Sequence, residues 1–457
     1  MTGFAPVIFF ICTFRLACKE IFFLINLFYN LSVMSKKIVC LIVTSLFTLA
    51  LLSQDAKIQQ ESFLEAEYFF MYENYSDALP MYLRLYEKMP ENANLAFRIG
   101  VCYLNIAGKK NLSVSYLETA SKNISAKHKD GTINQIAAPY DALYVLGNAY
   151  RVNYQFDKAK EAYMKYEETL LSNDTENINF IEHEIKVCDN AKKLIAKPID
   201  FSLENMGNLI NDEKSNFNPV ISSDGKSFLF MVSLKFYDAI MFTRLVNGKW
   251  GNAVNIVPDL EIDGDIFISS LSSDGKTLFF SKSDSYSSDL YYSTFNGTKW
   301  DRAVKLNKNI NTKGWESHAF VSDDGNSLVF ASDRPGGFGG LDIYISRKVN
   351  GDWGPAVNIG HEINTPFNED RAFLVNNSKS IFFASQNHDN IGGYDIFKSE
   401  MQQNGLWSKP QNLGYPLNTP DDNIFFMPVG NGKSGYISVY KENDGSGKED
   451  IYKVTFK

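Results

Sequence analysis

ISSDGKSFLF at 221–230, LSSDGKTLFF at 271–280, FVSDDGNSLVF at 320–330 and LVNNSKSIFF at 374–383 are four copies of one pattern. In each, an apolar run stops at a polar turn, Asp-Gly in the first three copies, and a second apolar run follows at once. Such a turn between two such runs predicts a β-hairpin, with Asp-Gly taking up the positive φ values of a tight reversal. Asp224, Asp274 and Asp324 recur at intervals of 50, Trp250, Trp300, Trp353 and Trp407 close the first four units, and a worn fifth copy runs from Met427 through GYISVY. Each unit also holds a Tyr/Ile-rich run such as LDIYIS and a short run after the Trp. Four short strands at a period of 50 to 54 residues describe a propeller blade, with the Trp expected between neighbouring blades. The fifth copy ends at EDIYKVTF without a Trp run, whereas DFSLENMGNLI at 200–210 looks like a stray outer strand. The expectation is a ring of five blades over 198–457, closed by that early strand so that no sheet edge is left free. Six blades is the alternative if residues 198–215 pair elsewhere.

Upstream of Pro198 the period changes. From Glu61 to Ala196 apolar residues recur at helical spacing, and a small residue is followed three positions later by an aromatic: Ala66 with Phe69, Gly100 with Tyr103, Gly147 with Tyr150. Ala78 with Tyr82, Leu112 with Tyr116 and Ala159 with Tyr163 supply a second helix per unit, each pair one turn apart on one face. The polar stretch from Ser121 to Asn134 reads as an inserted loop, and residues 177–196 as a capping helix. On these residues, and most clearly in ALYVLGNAYRVNYQFDKAKEAYMKY at 142–166 and NYSDALPMYLRLYEKMP at 74–90, the chain resembles the tetratricopeptide repeat family. The resemblance implies a concave groove that holds a peptide or partner helix.

Met34, Lys36, Lys37 and the apolar run from Ile38 to Leu52 read as a secretory signal peptide, which makes residues 1–53 a leader, with Met34 as the expected true start and a membrane hairpin that includes the apolar stretch at 1–33 as the alternative. The run is short for a membrane span, and Cys18 and Cys40 have Arg15 and Lys37 where a lipoprotein signal wants an apolar residue. Beyond the leader only Cys102 and Cys188 remain, expected as two buried thiols, with a single bridge as the alternative. The fold class expected is therefore multidomain, α followed by all-β: a TPR-like α-solenoid over 61–197, then a β-propeller over 198–457.

A net charge of -8, with 45 basic residues scattered among 53 acids, argues against nucleic acid as a partner. Catalytic signatures are missing too. Gly432-Lys433-Ser434-Gly435 lacks the spacing and the helix of a nucleophile elbow. His128, His183, His318, His361 and His388 are dispersed without metal spacing. Asp263 and Asp265 lack the further carboxylates of a calcium loop, and the glycines at 336–340 open no helix. No cofactor, metal or catalytic residue is expected. Asp333-Arg334-Pro335-Gly336-Gly337 reads either as a local Asp-Arg pair holding a turn or as a rim contact. Trp315, Asp333, Arg334 and Arg371 are the candidate partner-binding residues, because Trp and Arg are enriched in interface hot spots.

SDDGNSLVFASDRPGGFGGLDIYIS and WGPAVNIGHEINTPFNEDRAFL resemble the WD-like propeller repeats shared with TolB. With NTP and Gly-Gly-x-Asp-Ile elements recurring at 392–396 and 418–420, they are similar to propellers of Bacteroidetes envelope proteins. In those proteins TPR units precede the propeller and an OmpA-like peptidoglycan-binding domain often follows; a component of the type IX secretion machinery has that layout. The resemblance implies a non-catalytic, exported, periplasmic scaffold at the outer membrane. Its expected partners are envelope proteins, either secretion-apparatus subunits or OmpA-like proteins. The sequence ends at Lys457 without an OmpA-like part, so contact with peptidoglycan is expected to be indirect. A carbohydrate- or peptidoglycan-binding protein, and less so a propeller hydrolase or lyase, are the competing readings.

Overall fold

The computed structural model describes residues 33–284, 286–442 and 444–457; the first 32 residues of the expected leader, with Cys18, lie outside them. Each copy of the repeat forms an antiparallel sheet. Blade 1 runs through Asn216–Ile221, Ser227–Ser233 and Asp238–Val246, with short outer strands at Lys249–Trp250 and Val254–Asn255. Blade 2 comprises Asp265–Leu271, Thr277–Ser283, Ser288–Thr294 and Val304–Lys305. Blade 3 comprises Glu316–Val321, Ser327–Ser332, Asp342–Val349, Asp352–Trp353 and Val357–Asn358. Blade 4 comprises Glu369–Val375, Ser380–Ser385, Asp395–Glu400 and Gln411–Asn412. Blade 5 takes Met427–Val429, Ser434–Val439 and Asp450–Phe456 from the end of the chain and Phe201–Asn205 from its middle, paired antiparallel from Phe201 opposite Phe456 to Asn205 opposite Tyr452. The ring has five blades, and the early strand closes it. The first strands of successive blades touch one another around the axis.

The hairpin turns differ from the expectation in one respect. In the first three blades only the glycine is left-handed, with φ of 69°, 67° and 70° at Gly225, Gly275 and Gly325. The aspartate instead caps the turn: Asp224 Oδ1 accepts the Ser222 hydroxyl at 2.6 Å and the Lys226 N–H at 3.0 Å, and Asp274 and Asp324 do the same in their blades. A side chain that satisfies the turn's own donors removes the need for a second positive φ. Trp300 does sit between blades, its ring edge-on to Phe242 of blade 1 at 5.3 Å, and Trp353 joins Phe279 and Leu290 of blade 2 in one apolar cluster.

The linkers between blades are held by a repeated asparagine. Asn311, Asn364 and Asn418 each accept the N–H and donate to the C=O of one residue in the preceding blade's third strand, Leu290, Ile343 and Ile396. Asn211 does so at Ile451 and thereby ties the early segment to the last blade. Gly339 and Gly392 lie where a Cβ would be 2.3 and 2.2 Å from backbone oxygens of the next linker, which is why the paired glycines recur.

The helical residues fall into two packing units. In the first, helix α1 (Val33–Met71) runs without a break across the expected boundary at residue 53, because from Ser53 to Met71 no glycine or proline stops it. It packs on α2 (Tyr75–Lys88), with Phe63 against Tyr82, and Gln60 holds the loop at 129–136 through Gly131 and Ile133. No helix among the described residues is long and apolar enough to cross a membrane.

The second unit joins α3 (Ala93–Leu104), α4 (Ser113–Ala120), α5 (Asp141–Val152), α6 (Phe156–Glu167) and α7 (Thr175–Ile195) to the propeller. Gly100 lies under Leu117 and Gly147 under the Tyr163 ring, where a Cβ would come within 2.5 and 2.3 Å. These helices form one body with the ring because polar groups cross between them. Arg151 donates to the Pro420 carbonyl at 2.6 Å, Lys110 pairs with Asp421, and the His183 imidazole meets the Gln386 carbonyl at 2.8 Å. Arg151 is itself held by Glu184 and the Tyr163 hydroxyl, all three buried. Cys102 and Cys188 are buried thiols.

Candidate functional site

The inner strands carry a feature that the hairpin pattern conceals. In blades 1, 3 and 4 their pairing to the second strand slips by a bulge, at Phe217/Val220, Ser317/Phe320 and Asp370/Phe373. The first bulged residue is Asn218, His318 or Arg371, and each is left-handed, with φ of 47°, 47° and 51°. A histidine or arginine in that region costs energy and turns its side chain out of the pleat. Here all three point to the axis. Arg371 Nη1 donates to Asn218 Oδ1 at 3.0 Å, which joins blade 4 to blade 1 across the ring. The Arg371 guanidinium lies 5.5 Å from the centre of the Phe425 ring of the blade 5 entry, and the His318 ring is 6.1 Å from the same ring and 4.6 Å from Phe373.

Around these groups lies a cavity of about 200 Å³ whose wall includes Phe267, Ser281, Trp315, Ser317, Asp370 and Arg371. A second one of about 240 Å³ continues it past Arg371 toward Asn218 and Phe425. At the opposite end of the axis the hairpin turns meet, Ser223 of blade 1 donating to Asp323 of blade 3. Burial pushes His318 well below the ordinary histidine range, the Arg371 charge adding to the effect, so its imidazole is neutral. Burial also lowers Arg371, opposed by the neighbouring Asp370. Asp370 Oδ1 accepts the Ser317 hydroxyl at 2.8 Å.

Of the four residues singled out from sequence, the structure brings Trp315 and Arg371 to this cavity. Asp333 and Arg334 serve the loop around it. Asp333 does not pair with Arg334 but accepts the Trp315 backbone N–H at 2.7 Å, which holds the Trp315 backbone beside the cavity. Arg334 folds inward: it pairs with Glu316 at 3.5 Å, donates to the carbonyls of Asn309 and Ile310, and stacks over Phe330 and Tyr344. Its guanidinium is consumed within blade 3. Asn218, His318 and Asp370 were missed. A positional signal exists, since Asn218 and His318 each stand six residues before the aspartate of the hairpin turn, and Arg371 stands six before Asn377 in the fourth copy. Asp263, weighed as a calcium ligand, pairs with Lys282, and Ser434 opens a strand, not a helix.

No protein-family model matches the chain, and no curated protein does. Among solved structures it is similar to TolB from Acinetobacter baumannii, at 16% identity over 53% of this chain and 55% of that one, with a TM-score of 0.34. A TolB-designated protein of Agrobacterium tumefaciens is similar at 17% identity over 54% and 78%, with a TM-score of 0.33. So is the catalytic domain of an α-L-arabinofuranosidase from Coprinopsis cinerea, at 12% identity over 57% and 98%, with a TM-score of 0.38. The chain spans about half the length of the Acinetobacter protein. These neighbours include enzymes, and at such values they say nothing of activity. The class is defined by the chain's own sheets: a helical region followed by a five-bladed β-propeller.

Proposed function

We propose that this chain is a non-catalytic scaffold of the bacterial envelope, exported and peripheral to the outer membrane, which binds protein partners at the axial mouth of its propeller. The observation that carries the reading is the axial cavity, where Trp315 and Arg371, residue types that anchor interfaces, stand together at one open end of the ring. The helical repeats resembling TPR units supply a second binding module on the same chain, and two linked modules raise avidity when both engage. The resemblance of its repeats to those of Bacteroidetes envelope proteins supports reading the scaffold as part of, or accessory to, the type IX secretion machinery. OmpA-like proteins and secretion subunits are then its partners.

The chemistry around the axis supports binding over catalysis. A His and a carboxylate do converge there, but the Ser317 hydroxyl is donated to Asp370, and the His318 ring is packed against Phe373. An activated serine needs its base within hydrogen-bond reach. Cross-linking and affinity purification of the tagged chain from native envelopes tests the reading. Secretion-apparatus or OmpA-like proteins are expected, and Trp315→Ala should reduce their recovery. Recovery that is the same with Trp315→Ala would remove the axial mouth from the interface. Trp315 beside a serine-lined wall also favours a glycan ligand; retention of glycan with no protein recovered would establish that second reading.

A further inference from the structure

Arg371 is incompletely matched. Its Nη1 has Asn218, but its Nε is shut off from solvent without an acceptor, and among the described residues no carboxylate lies within ion-pairing distance of the guanidinium. The nearest acid in sequence, Asp370, is engaged elsewhere: its Oδ1 takes the Ser317 hydroxyl and the Arg371 backbone N–H. On the wall of the same cavity lies the His318 side chain, 4% exposed, whose Nε2 also has no partner. The two groups sit on left-handed residues, so backbone strain is being held in order to aim them at one space. A guanidinium that lines a cavity with no carboxylate paired to it is matched by a small anion.

We propose that the axial cavity is a carboxylate subsite, in which the cavity-facing part of the Arg371 guanidinium holds a carboxylate with the His318 imidazole beside it. The inference rests on the axial mouth being the binding face and names the chemistry received there. The cavity volume of about 200 Å³ admits one small acidic group, and Trp315 with the Ser281 wall can cover an apolar or hydroxylated remainder. The carboxylate comes either from an acidic sugar or from a peptide C-terminus.

Titration of the full chain, read by tryptophan fluorescence and calorimetry, separates these sources. One arm compares galacturonate with galactose, and the other compares an N-acetylated dipeptide acid with its amide. At least one acid is expected to bind while its neutral counterpart does not, and Arg371→Gln should weaken that acid about 30-fold or more. Binding of galacturonate alone identifies an acidic sugar, and binding of the dipeptide acid alone a chain terminus. Asn218→Asp keeps the test independent of any folding defect in Arg371→Gln. It places a carboxylate of the protein's own against Nη1, and is expected to block the acid while raising the thermal midpoint. The proposal is overturned if the neutral counterparts bind equally well, if Arg371→Gln binds as the parent does, or if neither acid binds up to about 10 mM, well above the millimolar affinity of a weak site. Partner recovery from envelopes that persists in that last case would leave the scaffold reading standing and remove only the carboxylate chemistry.

Discussion

Replacing Arg151 by Met tests what holds the helices to the ring. Arg151 is 6% exposed, Glu184 beside it is 4% exposed, and the pair lies at 3.5 Å. Burial pushes the Glu184 carboxyl up while Arg151 pulls it back. Arg151→Met removes the larger of two attractive terms, leaves a desolvated carboxylate with only the Tyr163 hydroxyl, and takes the donor from the Pro420 carbonyl. Breaking a buried pair from one side costs about 3–5 kcal/mol. Replacing both partners in Arg151→Met/Glu184→Gln should recover a large part of that, since no uncompensated charge remains. The penalty in Arg151→Met belongs to the ionised carboxylate, so it is full above the raised folded pKa and fades as pH falls toward the ordinary carboxylate range. Urea unfolding of the two variants at pH 7 and pH 4, with limited proteolysis near residues 196–200, measures both effects. A double variant no better than Arg151→Met, or a single variant within about 0.5 kcal/mol of the parent as for ordinary surface changes, would refute the reasoning.

Asn211→Ala should loosen ring closure, because the Ile451 N–H loses its partner at roughly 1–3 kcal/mol while the Ile451 C=O keeps only the Met206 N–H; urea unfolding of the variant measures the loss. Glu369, fully buried between Thr365 and Ser385, is pushed up to about 7 by burial. Its protonated form is the one the folded state prefers, so stability is full below the ordinary value of 4.5 and is lost as pH rises through about 7. The loss is about 3 kcal/mol, and Glu369→Gln should flatten that part of the pH profile in thermal melts. Gly147→Ala puts a Cβ 2.3 Å from the Tyr163 ring and is expected to cost about 1–3 kcal/mol by denaturant unfolding, since Tyr163 is fully buried and has nowhere to move.

What was legible in the sequence is whatever short-range chemistry dictates. The Ser-Asp-Gly turns, the alternating runs and the tryptophans determine strands and blades, because turn geometry and side-chain alternation act over a few residues, while the choice of five over six waited on the pairing of the early strand. The lone strand at 201–205 could be assigned to the last blade since a ring leaves one strand short only there. The small residues at Gly100 and Gly147 likewise mark the close helix contacts, a matter of local size. What only the tertiary structure decided concerns groups brought together from distant blades. Asn218, His318 and Arg371 carry no common residue type and share only a position six residues before the turn; that this position is a left-handed bulge shows only in the pairing register. Arg334 and Arg371 look alike in sequence, yet one is spent on Glu316 and two carbonyls and the other meets only Asn218 at the axis. Arg151 reads as an ordinary helix-end charge until Pro420, 269 residues away, meets it. Hydrogen-bond partners across such separations are set by how the ring closes, and that closure depends on the whole chain rather than on any stretch of it.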